Sequence, residues 1–473
     1  MNKKGLTALY ICFDVLAAII SWTCFYFYRK HVGESLFFGD ILRAVARDPK
    51  FFLGLLLCPL YWVILHAFAG YYNKIYRKSR LTELGTTFGI TLLGVLVFFF
   101  AFILDDIVTS PKDYVKYMLF LFFWQFILTY IPRLCITSTV NHRIHSGRIG
   151  FNTLLVGSDE QAVQVYDMVM RQTPSPGNFL IGYVKVDDSS ADEMAARLPC
   201  LGSIDRLEEI IGQRHIEELI VALHNGQRRH IEKIVILARD NRDITICMPA
   251  RMQDVILGNV KTSSVLYEPL VSITPEYLPT WQRLTKRVLD ITLSAIAMAL
   301  LSPLYIFLAI GVKRSSPGPV FYRQERVGYH GKPFHIIKFR SMCVNAEDTG
   351  PALSSKDDPR ITPFGKFMRQ YRLDETPQFY NVLIGDMSLV GPRPERQFYI
   401  DQIVERAPYY PLLLGIKPGI TSWGQVRFGY AENVDEMLER LRWDMLYIEN
   451  MSLQMDIKIL IYTALIVLKR EGK

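Results

Sequence analysis

Charge is scarce in this sequence: Asp, Glu, Lys and Arg make up 21% of its 473 residues, while half of the chain is hydrophobic. That balance excludes a disordered or fibrous chain and fits poorly with an ordinary soluble enzyme. Closely spaced cysteines are missing too. The seven cysteines (12, 24, 58, 135, 200, 247 and 343) lie far apart and form no CxxC pair. Their spacing argues against a disulfide framework or a zinc site and suits a reducing compartment. No P-loop, nucleophile elbow or kinase signature occurs. The surplus of base is small, 54 Lys and Arg against 46 Asp and Glu, for a formal charge of +8. In so apolar a chain it reads as topology signal and lipid-headgroup contact, with no nucleic-acid partner.

Long apolar runs are abundant. Four stretches in the first third, near 7–28, 51–70, 86–104 and 114–134, approach the roughly 20 residues that a bilayer-spanning helix needs. The first is long and followed by three more, so a cleavable signal peptide is not expected. Lys3 and Lys4 precede the first span, Lys74, Arg77, Lys78 and Arg80 follow the second, and Arg143 and Arg148 follow the fourth. The third loop is acidic at Asp105 and Asp106. Positive-inside counting therefore puts both ends of a four-helix transmembrane bundle, residues 1–140, in the cytoplasm. Arg29, Lys30, Arg43, Arg47 and Lys50 in the first loop run against that count. Asp14 lies inside the first span, either as a functional group or as a carboxylate hydrogen-bonded within the bundle.

Residues 150–275 alternate short apolar runs with helical patterns. Strands are expected at Phe151–Val156, Leu180–Val184, Glu217–Ala222 and Asp243–Cys247, and helices at 159–172, 204–213 and 229–240. This is a Rossmann-like α/β domain built on a parallel sheet. A dinucleotide fingerprint needs three glycines after the first strand. Only Gly157 is present, and Asp159 and Glu160 would repel a phosphate. No cofactor site is expected there.

A fifth apolar stretch covers 288–312, interrupted by Ser302-Pro303 and flanked by Lys286, Arg287, Lys313 and Arg314. Proline inside a helix removes a backbone hydrogen bond and kinks it. A simple crossing would put one basic pair and everything after it outside. A re-entrant helix over 284–314, dipping in and turning back at Ser302-Pro303, keeps both pairs in the cytoplasm. The remainder is basic and rich in short motifs. They include Lys338-Phe-Arg340-Ser-Met342, Asp358-Pro-Arg360-Ile-Thr-Pro-Phe-Gly365, Arg369-Gln-Tyr-Arg372-Leu-Asp374-Glu375-Thr-Pro377, Gly391-Pro-Arg393-Pro-Glu395 and Lys417-Pro-Gly419-Ile-Thr421. Thr376 is expected to cap a helix that starts at Pro377. Arginines offer bidentate donors to phosphate, and a carboxylate can hold Mg2+ or attack phosphorus. Beside a membrane insertion, the set favours chemistry between a soluble phosphorylated donor and a lipid phosphate. The tail, Leu453–Leu468, reads either as an amphipathic interface helix or as a plain core helix.

On these motifs, residues 281–473 resemble the bacterial polyprenyl-phosphate phosphoglycosyl transferases. With four spans and an α/β middle domain, the whole is similar to the large form, the undecaprenyl-phosphate galactose or glucose phosphotransferases. The resemblance implies a mostly α catalytic domain in which Lys286, Arg287 and Asp290 open the re-entrant helix and Ser302 and Pro303 break it. It implies that Asp374 of the Asp374-Glu375 dyad attacks the sugar-bearing phosphate of a UDP-sugar and releases UMP. Undecaprenyl phosphate would then take the phosphosugar, initiating exopolysaccharide, capsule or O-antigen repeat units. It implies Mg2+ at the dyad, with Asp374 and Asp444 as its carboxylates, and substrate phosphate contacts from Arg369, Arg393, Arg340, Lys338, Arg427 and Asp444. Gln425-Val-Arg427-Phe-Gly429-Tyr430 departs from the family's Gln-Val-x-Gly-Arg, and Arg427 stands in for the displaced arginine. The implied setting is the bacterial inner membrane, with its lipids as partners, catalysis on the cytoplasmic face and homodimerisation. A membrane-anchored nucleotide-sugar dehydratase would need the glycine fingerprint and a Tyr-x-x-x-Lys pair, which Tyr166 and Tyr183 do not supply. A non-catalytic scaffold would not need the intact dyad.

Overall fold

The computed structural model describes residues 3–34, 37–73, 75–103, 111–173, 175–186, 192–223, 230–231, 234, 244–249, 270–272, 278–344, 346, 358–429 and 431–468. It divides into two units, Met1–Phe151 with Val169–Phe179, and Asn152–Met168 with Leu180–Lys473.

The first unit is helical. Its long members are Lys3–Glu34 (α1), Pro49–Phe68 (α3), Arg80–Phe98 (α4) and Pro111–His145 (α5), with a short Phe38–Arg47 (α2) between the first two. Caps fix the starts of α3 and α4: the Asp48 carboxylate accepts from Lys50 N with Pro49 at the first position, and Ser79 Oγ accepts from Thr82 N at 3.1 Å. Aromatic side chains dominate the interior, among them Trp22, Phe25, Phe51, Trp62, Phe98 and Tyr117. Such pairs favour tilted and edge-on contacts, as at Phe25–Tyr117, 6.2 Å apart at 87°. Helix α2 is not apparent from hydropathy. Ile41 and Val45, one turn apart, are buried while Arg43 and Arg47 face outward. The first loop's basic residues therefore lie partly on an amphipathic helix, the form that rests on headgroups. Lys74, Asp105 and Asp106 lie outside the described residues.

The second unit begins with a sheet of Phe151–Val156 (β1), Asn178–Lys185 (β2), Cys200–Ser203 (β3), Glu218–Val221 (β4), Thr245–Pro249 (β5) and Leu270–Ser272 (β6). Their order is β3-β2-β1-β4-β5-β6. The pairs β1–β4, β2–β3 and β4–β5 are parallel, and β6 joins antiparallel at the edge. Glu160–Arg171 (α6) and Leu207–Arg214 (α7) follow the Rossmann-like alternation. Strands buried on both faces read as continuous apolar runs, which is why β1 and β4 are legible. The strands β3 and β6, of four and three residues, are not. The helix expected at 229–240 and Asp243 fall almost wholly outside the described residues. Asp159 Oδ1 accepts from Ala162 N at 3.1 Å, so a carboxylate occupies the start of α6 where a dinucleotide fold would present a phosphate.

Next comes the 36-residue helix Thr280–Ser315 (α8), whose helical assignment runs unbroken through Pro303. Among the described residues, five helices are long and apolar enough to cross a membrane: α1, α3, α4, α5 and α8. An antiparallel hairpin, Phe321–Val327 (β7) and Pro333–Phe339 (β8), leads to Pro363–Gln370 (α9) and Gln378–Ile384 (α10). After these come Ser388–Val390 (β9), Gln397–Arg406 (α11), Gly419–Thr421 (β10), Trp423–Arg427 (α12), Val434–Glu449 (α13) and Leu453–Leu468 (α14). Met387, Val390, Tyr399, Ile403, Leu441, Tyr447 and Ile459 form the core here. Along α14, Ile457, Ile461 and Leu465 make an exposed apolar stripe opposite buried Ile459.

Candidate active site

The Asp374-Glu375 dyad sits on a single 3-10 turn, Leu373–Glu375, between α9 and α10. Helix α9 is placed by its start. Thr362 Oγ1 accepts from Gly365 N at 3.0 Å, and Thr362 N donates to Ser341 O at 3.0 Å. At Gly365 a Cβ would lie 2.0 Å from the Ser341 carbonyl oxygen, so only glycine lets α9 settle on the end of β8. The chain then reverses through Arg372 at φ 53°, left-handed backbone that a non-glycine residue adopts at a cost. Thr376 does not cap the next helix, contrary to expectation. Its hydroxyl donates to Leu373 O at 2.7 Å, closing the dyad turn, and α10 starts after Pro377. The preference of Thr-Pro for helix starts loses here to a local turn bond.

Both carboxylates are buried, yet their surroundings differ. Glu375 Oε1 receives Lys338 Nζ at 2.7 Å and an Arg393 nitrogen at 3.1 Å, and Arg372 lies 4.0 Å from Oε2. Burial opposes its ionisation, but these cations outweigh burial and hold Glu375 well below the usual carboxylate range. No hydrogen bond or ion pair from a described side chain is directed at the Asp374 carboxylate. Burial and the neighbouring Glu375 charge push it up to about 6, against the pull of Lys338 and Arg369. One acid is thus neutralised and immobile while the other is desolvated and uncommitted, a division of roles set by environment.

The cations arrive from four elements. Lys338 is on β8, Arg369 ends α9 with Nε on Ser341 Oγ at 2.9 Å, and Arg372 precedes the dyad. Arg393 stands on the loop after β9. There Gly391 N donates to Thr421 O at 3.0 Å and Gly419 N to Pro392 O at 2.9 Å. A Cβ at Gly391 would lie 2.3 Å from Lys417 O, so the close approach of β9 and β10 needs glycine. The far end of the loop is fixed by Arg326, 3.1 Å from Glu395, and by Arg440 on the other Glu395 oxygen.

Three other expected contacts have the following surroundings. The Arg340 terminal nitrogens donate to Ser316 O and Pro317 O, both at 2.7 Å, so they clamp the end of α8 instead of facing the dyad. Asp444 accepts from Gly424 N at 3.0 Å at the start of α12, and burial pushes its carboxyl up to about 6. Arg427 is exposed and pairs with no described residue.

Three residues that open α8 grip the same unit. Lys286 Nζ donates to Val390 O at 2.9 Å and to Asp456 at 2.6 Å, while Arg287 donates to the Val382 and Leu383 carbonyls at the end of α10. Asp290 accepts from Leu389 N at 3.1 Å. Beyond Pro303, Leu308 and Val312 pack with Phe339 and Met368, and Tyr305 donates to Thr376 O at 3.1 Å, against the dyad turn. Ser302 Oγ bonds Ala299 O at 2.8 Å. Sequence reasoning did not single out Arg372, Glu395 or Tyr305 as site residues. Arg372 stands two residues before the dyad in an arginine-rich run, the signal that could have found it.

No group of three or more His, Cys, Asp or Glu residues able to hold a metal occurs among the described residues. Mg2+ commonly binds one or two carboxylates and completes its shell with substrate phosphates and water. The uncommitted Asp374 carboxylate fits that mode.

Residues 281–470 match the family described as bacterial sugar transferase, and residues 67–249 a family described as CoA-binding domain. A UDP-glucose:undecaprenyl-phosphate glucose-1-phosphate transferase of Xanthomonas campestris pv. campestris is 34% identical over 336 residues, 70% of this chain and 69% of that protein. A UDP-N-acetylgalactosamine-undecaprenyl-phosphate N-acetylgalactosaminephosphotransferase of Aeromonas hydrophila is 40% identical over 222 residues, 47% of this chain and 52% of its own length. An undecaprenyl-phosphate galactose phosphotransferase of Salmonella typhimurium is 28% identical over 490 residues, 98% of this chain and 95% of that protein.

Proposed function

The chain belongs to the bacterial sugar transferases, as an enzyme of the undecaprenyl-phosphate sugar phosphotransferase class, and on that premise we propose that it works through a carboxylate that carries the phosphosugar. Asp374 attacks the sugar-bearing phosphorus of a UDP-sugar. The bond from that phosphorus to the bridging oxygen breaks and UMP leaves with the electron pair. An oxygen of undecaprenyl phosphate then attacks the same phosphorus and expels Asp374, giving a lipid diphosphate sugar. The observation that supports this most is the contrast within the dyad, in which Glu375 is tied down by Lys338 and Arg393 while Asp374 is left uncommitted. Lys338, Arg369, Arg372 and Arg393 supply fixed positive charge as the phosphates approach. Mg2+ bound through Asp374 and the diphosphate would add charge neutralisation.

In this reading α1, α3, α4 and α5 form a four-span bundle in the inner membrane and α8 is re-entrant, with the site on the cytoplasmic face. Re-entry is supported by contacts at both ends of α8. Lys286, Arg287 and Asp290 on one side of Pro303, and Tyr305, Leu308 and Val312 on the other, meet the same set of catalytic elements. The outward Leu293, Ile296, Leu300, Ile306 and Phe307 are left for lipid. The relatives are named for glucose, galactose and N-acetylgalactosamine, so the sugar is chosen by assay. Purified chain with Mg2+ and undecaprenyl phosphate is expected to release UMP from one member of a UDP-sugar panel. Failure across the panel would overturn the proposal.

A further inference from the structure

Helix-spaced polar residues line the interior of the first unit, where the proposed reaction has no use for them. Glu83, Thr87 and Thr91 follow each other at four-residue steps on α4, and Gln125, Thr129, Arg133 and Thr137 do so on α5. Residues four apart share a helix face, and all seven are at most 2% exposed. Asp14 on α1 and His66 on α3 complete the set, at 1% and 0% exposure.

Part of this seam is self-sufficient. Arg133 donates to both Asp14 oxygens, at 3.1 and 2.6 Å, and lies 4.0 Å over the Tyr71 ring. Tyr72 donates to Asp14 at 2.8 Å, and Tyr10 pairs with Thr137 at 2.9 Å. The rest is not satisfied. The third Arg133 nitrogen, His66 Nε2, Thr91 Oγ1 and Gln125 Oε1 are buried with no hydrogen-bond partner, the buried Glu83 oxygens receive no hydrogen bond, and His66 Nδ1 stands 3.4 Å from Asp14 Oδ2. Lys78 Nζ stands 3.5 Å from Glu83 and donates at 2.6 Å to Tyr71 O. In a lipid-surrounded bundle each buried orphan has lost its water hydrogen bonds with nothing in exchange.

The chemistry of the orphans selects what would satisfy them. Asp14 and Glu83 cancel Arg133 and Lys78, so the seam offers no net charge to an anion or a metal cation. Its open groups include donors and acceptors in one row, the requirement that bound water meets. Glu83 and His66 are the titratable members of that row. They face Tyr10 and Asp14 from α1, Tyr71, Tyr72 and Lys78 from the segment after α3, and Arg133 from α5. Lys78 is partly exposed and marks the open end.

We propose that the first unit encloses a hydrated polar site: bound waters join Glu83, His66 and Arg133 in one row that opens at the Lys78 end. The proposal rests on α1, α3, α4 and α5 crossing the bilayer, which vesicle-sidedness labelling tests separately.

One measurement on the full chain in lipid nanodiscs tests it. Radiolytic hydroxyl-radical labelling, read by peptide mass spectrometry, is expected to modify the buried His66 and Tyr71 several-fold faster than Phe25 in the aromatic interior of the same unit. Labelling of both no faster than Phe25 would mean a dry seam and overturn the proposal.

Discussion

Neighbouring carboxylates with opposite titration are the feature on which the chemistry turns. Asp374 is a nucleophile only when ionised, and its pKa is pushed up to about 6. Turnover should therefore be full at mildly alkaline pH and fall as pH drops through about 6, measured as initial UMP release. Lys338 stabilises the ionised forms of both acids. Lys338→Met should move that acid limb to higher pH by on the order of one unit. An unchanged acid limb would show that the limb belongs to another group. Asp374→Asn should remove turnover by several orders of magnitude. Glu375→Gln should behave differently. It removes the charged partner that Lys338 and Arg393 share between two half-buried cations, so a loss of folding stability should accompany the loss of rate.

Turns and glycine contacts decide where those side chains point. Gly365→Ala would drive a Cβ into the Ser341 carbonyl, and overpacking of that kind costs about 1–3 kcal/mol. A lowered Tm with reduced activity is expected, while Thr362→Ala, which removes only the cap, should cost about 1 kcal/mol. Tyr305→Phe deletes the bond from α8 to Thr376 O. It should lower kcat with little change in KM for the UDP-sugar, because it loosens the dyad turn without touching a substrate-facing cation. Much of this architecture was legible beforehand. Long apolar runs marked α1, α3, α4, α5 and α8, short apolar runs marked β1 and β4, and Asp374-Glu375 and Arg393 stood out by residue type. Contacts distant in sequence were not legible. Nothing in the sequence around Arg340 says that its guanidinium is spent on the end of α8. Nothing in the sequence around Asp444 says that it accepts from the N–H of Gly424. The helix α2 escaped because its apolar face is two residues wide, and Thr376 misled because a turn bond competes with a cap for the same hydroxyl.

In the proposed reaction these parts, joined into one molecule, bring a soluble donor and a lipid acceptor to a single carboxylate. Two anionic substrates need not be bound together if Asp374 holds the phosphosugar between them. That requires the site to stay on one side of the membrane, and two native cysteines report on it. Cys200 precedes α8 and Cys343 follows it, and both are exposed. If α8 is re-entrant, an impermeant maleimide should modify both in inside-out vesicles and neither in right-side-out ones. Labelling of the two from opposite sides would mean that α8 crosses. The carrier itself is tested most directly by incubating the chain with UDP-sugar and Mg2+ without undecaprenyl phosphate and taking its intact mass. The account predicts an added sugar phosphate, located on Asp374 and discharged by undecaprenyl phosphate. Full turnover with no such adduct, or an Asp374→Asn variant that still acquires it, would contradict the account.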